Sequence, residues 1–145
     1  MKTILVLTVA FLGLAASAQQ SIPDKTVVLT FDDAVKSHRT VVAPMLAEYG
    51  FGATFFVTHG WMNDPEYFMS WQDIAEIHEM GFEIGNHTWT HGGLSMPADV
   101  ARLAGELALV ESALKNVGVP KPVSFAWPGN RFGPEGVAEI GRAHV

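Results

Sequence analysis

Thr26-Val27-Val28-Leu29-Thr30-Phe31-Asp32-Asp33 is a β-branched, apolar run that ends abruptly on two acids. Unbroken apolar character suits a strand covered on both faces, as strands of parallel sheets are. Working outward, the pattern recurs: Ala53-Thr54-Phe55-Phe56-Val57, Phe82-Glu83-Ile84-Gly85 and Val123-Ser124-Phe125-Ala126-Trp127 read as three more short strands. Helical spacing fills the gaps. Val41, Val42, Met45, Leu46 and Tyr49 predict an amphipathic helix over 38–49 with Gly50 as its stop. Ser70, with Asp73 three residues on, is an N-cap for a helix running to Met80 before Gly81. Beyond Pro97, positions Val100, Leu103, Leu107, Val110, Leu114 and Val117 step by three and four until Gly118, and Pro128-Gly129-Asn130 turns the chain. Strands alternating with helices predict βα units, hence an α/β fold with a parallel sheet or barrel.

The ends and composition narrow the setting. Lys2, the apolar stretch Ile4 to Ala16 and the Ala16-Ser17-Ala18 site predict a signal peptide over residues 1–18. That stretch is shorter than a membrane-spanning helix needs, so no integral membrane segment is expected after cleavage and the product is secreted or periplasmic. Removing residues 1–18 leaves 127 of the 145, one domain's worth, and takes Lys2 with it, moving the net charge from −6 to −7. An acidic chain without a Lys/Arg cluster argues against nucleic acid and anionic membrane as partners. There is no cysteine, so any metal site must use His, Asp or Glu. The last six residues, Ile140-Gly141-Arg142-Ala143-His144-Val145, are what a common sequencing-adapter string encodes. We therefore expect residues 140–145 to be non-native and the native chain to continue beyond Glu139; any other coding sequence at that point of the source DNA would overturn this.

In parallel α/β folds functional groups gather where strands end. Asp32 and Asp33, His87 and His91, and Trp127 and Pro128 all fall there. Two imidazoles and a carboxylate make a divalent-metal site with an open position for water, and His87 and His91, four apart, face one way if their segment turns helically. Asp33 completes the set, and Asp32 beside it is placed to take a proton as general base. Such chemistry is hydrolysis of an amide or ester. Each part alone has a plainer reading: paired acids after a strand are often turns or caps, and a lone H-x-x-x-H more often packs or faces solvent. His38 and His59 read as cleft-lining, substrate-contacting or solvated groups rather than ligands. Among the tryptophans, Trp71 reads as packing, while Trp89, between the histidines, and Trp127, beside Pro128, are expected to contact substrate. Met62, Met69, Met80 and Met96 read as packing.

The ordered motifs Val27-Val28-Leu29-Thr30-Phe31-Asp32-Asp33, Ala53-Thr54-Phe55-Phe56-Val57 and Gly85-Asn86-His87-Thr88-Trp89-Thr90-His91 resemble the polysaccharide deacetylase family of NodB-homology carbohydrate esterases, over residues from about 26 to 130. The resemblance implies a distorted (β/α) barrel of the NodB-homology type, here incomplete at the C-terminus, occupying residues 19–139. It implies removal of N- or O-acetyl groups from a polysaccharide with a divalent metal, commonly zinc; His and Asp ligands also suit cobalt, manganese or nickel. By position it makes Asp32 the catalytic base and Asp33, His87 and His91 the metal ligands, with Thr88 fixing their loop.

Three departures stand out. Ala126 occupies the place where the family carries an arginine that holds the base, with Arg131 nearby; Ala34 follows the paired acids where glycine is common. The family's later Leu-x-His, which supplies the general acid, would lie beyond residue 140, and His144 lacks its context. The expected function is a secreted metal-dependent deacetylase acting on acetylated amino sugars of cell-wall, chitin-like or exopolysaccharide material. The alternatives are a non-catalytic carbohydrate-binding relative that keeps the metal site, and a hydrolase of small amides or of O-acetyl esters such as those of xylan.

Overall fold

A computed structural model describes residues 22–143 of the chain. The expected signal peptide and His144 lie outside the described residues. Within them run β1 (Thr30–Phe31), a π-helical turn (His38–Val42) leading into α1 (Ala43–Glu48), β2 (Thr54–Val57), α2 (Trp71–Glu79), β3 (Glu83–Asn86), α3 (Pro97–Asn116), a 3-10 turn (Pro128–Asn130) and α4 (Pro134–Ala143).

The strands pair in parallel in the order β1-β2-β3, with Phe31 opposite Phe55 and Val57 opposite Asn86. Phe125 then continues the sheet through a parallel bridge to Asn86, its neighbours giving N–H···O contacts of 3.0 Å (Asn86 to Ser124) and 3.1 Å (Ala126 to Asn86). Sequential parallel order brings all four strand ends to one rim, which is what the site requires.

Helices cover one side. Ser70 caps α2 in a reciprocal box, its hydroxyl accepting from the Asp73 amide while the Asp73 carboxylate accepts from the Ser70 amide. Ile74, Ala75 and Ile77 of α2, Val110 and Leu114 of α3, and Phe55, Val57 and Ile84 of the sheet form the main core. A second cluster, Leu94, Leu103 and Leu107, receives Phe125, Trp127 and Ile140.

Four expectations are corrected. The first strand is two residues long, not six, and Val27 and Val28 are 73% and 78% exposed, because β1 has a pairing partner on one side only among the described residues. The fourth strand shrinks to the single bridge at Phe125, leaving Val123 81% exposed. In the first helix the π turn adds a residue per turn and rotates the inner face to His38, Val42, Ala43 and Leu46, leaving Val41, Met45 and Tyr49 exposed. Met69 is buried and Met62 packs on the core, but Met80 and Met96, at helix ends, are exposed. Helix α4 has no counterpart in the sequence reading; it runs unbroken through Glu139 and Ile140.

Candidate metal centre

The site begins with two tight turns. After β1 the backbone swings into the left-handed region at Asp33 (φ 74°) and Ala34 (φ 58°), and after β3 it does so again at Thr88 (φ 65°) and His91 (φ 57°). Non-glycine residues resist this conformation, so four of them flanking one spot mark a place where side-chain direction outweighs backbone ease. The first turn is pinned from outside: the Met69 amide donates to the Ala34 carbonyl (2.8 Å) and the Lys36 amide to that of Tyr67 (2.7 Å).

The turns bring three acceptor atoms together. Asp33 Oδ1 lies 3.4 Å from His87 Nε2 and 3.1 Å from His91 Nε2, and all three fall within 4.8 Å of one another. His87 is buried, and its Nδ1 sits 2.9 Å from the Ala126 carbonyl oxygen. A carbonyl only accepts, so Nδ1 carries a proton, and in the neutral ring this turns the Nε2 lone pair toward Asp33. Burial holds the His91 pKa below the ordinary imidazole value, opposed by Asp33 and Asp32 and reinforced by His87 and Arg131, which favours the neutral, ligating form of this ring. Asp33 Oδ1 is itself buried without a hydrogen-bond partner. Lone pairs converging without donors repel unless a cation lies between them; two neutral imidazoles and a carboxylate fit a divalent ion of zinc type and leave room for further ligands. Asp32, the expected base, is exposed next to this set.

The segment joining the histidines is held at the amides of Thr88, Trp89, Thr90 and His91 and at the Trp89 carbonyl. The Thr88 amide donates to Asn86 Oδ1 (2.9 Å), and the His91 amide to Thr88 Oγ1 (3.1 Å), the loop-fixing contact expected of Thr88. The Trp89 carbonyl accepts from the His59 amide (3.1 Å) and from Thr58 Oγ1 (3.2 Å). From the opposite side, Glu106 Oε2 accepts from the amides of Trp89 (2.9 Å) and Thr90 (2.7 Å), and its Oε1 from Thr90 Oγ1 (2.9 Å).

Aromatic rings surround the centre. Trp61 lies against His91, ring centroids 4.5 Å apart, with Phe68 behind it. Trp89 stacks on His59 (3.9 Å) and Trp71 (5.9 Å) and packs on the core. Trp127 lies between Phe125 and Phe132, and Pro128 is buried in the turn next to it. His38 is buried against Phe31 and Phe55, and burial lowers its pKa although Asp33 and Asp32 pull the other way. His38 and His59 stand outside the ligand set, each with an unpartnered Nδ1. Arg131 packs beside Gly93 and Gly129 and is near enough to act on His91, but no contact joins it to Asp32. Sequence reasoning did not pick out Glu106, whose acid on an exposed-looking helix turn reads as a solvated charge, nor the Ala126 carbonyl, because a backbone acceptor leaves no mark in residue identity.

Residues 19–142 match the family profile described as Polysaccharide deacetylase. The chain belongs to the polysaccharide deacetylase family. Its α/β fold is that of the NodB-type deacetylases, incomplete in the described residues. Among characterised deacetylases it is similar to poly-beta-1,6-N-acetyl-D-glucosamine N-deacetylase of Escherichia coli K12, 32% identical over 93 residues, 53% of this chain and 14% of that protein. Among solved structures it is similar to IcaB from Ammonifex degensii (25% identity, TM-score 0.72, covering 84% of this chain and 58% of that one). It is also similar to BA3943, a pseudoenzyme of the CE4 family from Bacillus anthracis (21% identity, TM-score 0.70, covering 83% and 41%). The chain thus spans well under two thirds of each. Among the described residues no helix is long and apolar enough to cross a membrane.

Proposed function

We propose that this chain belongs to a secreted, metal-dependent polysaccharide deacetylase, with residues 1–18 as a signal peptide. One observation carries the reading: Asp33 Oδ1, His87 Nε2 and His91 Nε2 converge within 4.8 Å of one another beside an exposed second carboxylate, Asp32. A divalent cation, zinc for preference, held by these three residues would polarise an acetyl carbonyl and acidify a water. Asp32, exposed and one residue from Asp33, would serve as the base that holds the proton of an attacking water. The Ala126 carbonyl keeps His87 in the ligand tautomer, and the clamped 88–91 segment holds His91 to the same point. We assign the aromatic surface near the site to the sugar: Trp61 on His91, with Trp89 and Trp127 as the further contacts, whereas Pro128, expected to join them, is buried next to Trp127 and supports the turn. Protonation of the leaving nitrogen is not assigned to any residue of this set.

The preferred substrate is an N-acetylated amino-sugar polymer, with a 1,6-linked glucosamine exopolysaccharide favoured by the Escherichia coli relative. Acetate release from such oligosaccharides, chitooligosaccharides and peptidoglycan, with zinc supplied, tests the reading. The parent chain releases acetate; Asp32→Asn keeps zinc and loses at least about a hundredfold in rate. A D32N variant as active as its parent would remove Asp32 from the mechanism. Ala126, where the family carries an arginine, favours a second reading, a carbohydrate-binding relative that keeps its metal. Zinc and oligosaccharide binding without any acetate release would select that reading.

A further inference from the structure

We propose that Glu106 of α3 is a positioning residue for the metal centre: its carboxylate sets the angle between His87 and His91 without touching either ring. This rests on the metal reading of Asp33, His87 and His91. Three donors converge on the one carboxylate, the amides of Trp89 and Thr90 and the Thr90 hydroxyl, at 2.7 to 2.9 Å. Only an ionised carboxylate offers enough lone pairs to accept all three with charge-assisted strength.

The two amides belong to the residues between the ligands, in a segment whose flanking positions, Thr88 and His91, are left-handed. Without an external anchor that segment has every reason to relax, and each degree of rotation moves the His91 lone pair off the point shared with Asp33. The anchor is stiff. Leu103, Leu107 and Val110 bury the inner face of α3, so Glu106 projects from a fixed helix, and its side chain is only 11% exposed. The same helix meets β3 where Leu107 O accepts from Asn86 Nδ2 (3.3 Å), one residue before His87. Arg102 braces the carboxylate from the solvent side (3.3 Å) while also pairing with Asp99 (3.0 Å). A side chain placed at Gly92 would meet Arg102 and Thr90 Oγ1 at 3.3 Å, so the bare backbone there lets α3 approach the loop.

Metal affinity and ligand geometry are the decisive readouts, since loss of a group that orients ligands weakens metal binding about ten- to a hundredfold. Zinc affinity of the full chain is measured by chelator competition below the melting range of each variant, and the visible absorption of the cobalt(II)-loaded chain reports ligand geometry. E106Q binds zinc about tenfold or more weakly with an altered cobalt spectrum, and T90V, which removes one of three donors, falls between E106Q and the parent. E111Q, on the same helix but paired with Lys121 (3.7 Å) and not with the loop, stays within about twofold of the parent with an unchanged spectrum. Should E106Q not fold, E106D takes its place under the same criterion. Folded E106Q with parental zinc affinity and an unaltered spectrum overturns the proposal while leaving the metal reading intact; a parent chain that binds no zinc overturns both.

Discussion

Ala34 shows how the centre constrains single residues. It is fully buried and left-handed at φ 58°, directly after Asp33. Glycine here relieves about 1 kcal/mol of left-handed cost. It also gives up a buried methyl, about 0.8 kcal/mol, and loosens the unfolded chain by a similar amount. The effects nearly cancel, so Ala34→Gly is expected within about 1 kcal/mol of the parent in urea unfolding, and alanine is tolerated at this left-handed position. Ala34→Val puts a β-branched side chain into a left-handed, sealed position and is expected to cost more than about 2 kcal/mol; a valine variant as stable as the parent would refute the left-handed turn. At this scale the sequence is legible where identity is chemistry: Asp33, His87 and His91 are named by residue type and spacing, and the structure brings them together. Ala126 and Glu106 are not legible, one because its backbone oxygen matters and its side chain does not, the other because its partners lie sixteen and seventeen residues away.

At the scale of elements, β3 turns on a glycine. A Cβ at Gly85 would run into the Phe56 ring and come within 2.8 Å of Ser124 Oγ, so β2 and the Phe125 segment close on β3 from both sides only because that side chain is missing. Gly85→Ala is therefore expected to cost about 1–3 kcal/mol, seen as a lower urea midpoint with unchanged slope. Gly52→Ala, with nothing near its Cβ, serves as the control and should be close to neutral. Helices were easier to read than strands. The Ser70–Asp73 box and the stripe on α3 carry their own boundaries, in a cap and in Pro97 and Gly118. Strand length depends on what lies alongside, which is why the run 26–31 pairs only at Thr30 and Phe31. Helix α4 escaped because Gly136 and Gly141 dilute its pattern; Gly136 is nevertheless required, since a Cβ there would meet the Trp127 ring at 3.2 Å.

For the whole molecule, the three candidate ligands come from separate βα units, Asp33 after β1 and the histidines after β3, with all of β2 and α2 between. A cation held by both closes the intervening chain into a loop in the manner of a covalent staple, in a protein without cysteine. Ligand binding to the native state alone adds about 4 kcal/mol when free zinc exceeds its dissociation constant a thousandfold. The melting midpoint is accordingly expected to climb with added zinc in the parent and to stay flat in His87→Ala; a parent midpoint indifferent to zinc would mean that the three groups hold no ion. Supply of metal would then govern how long the fold lasts, and chelation would expose the chain to proteases.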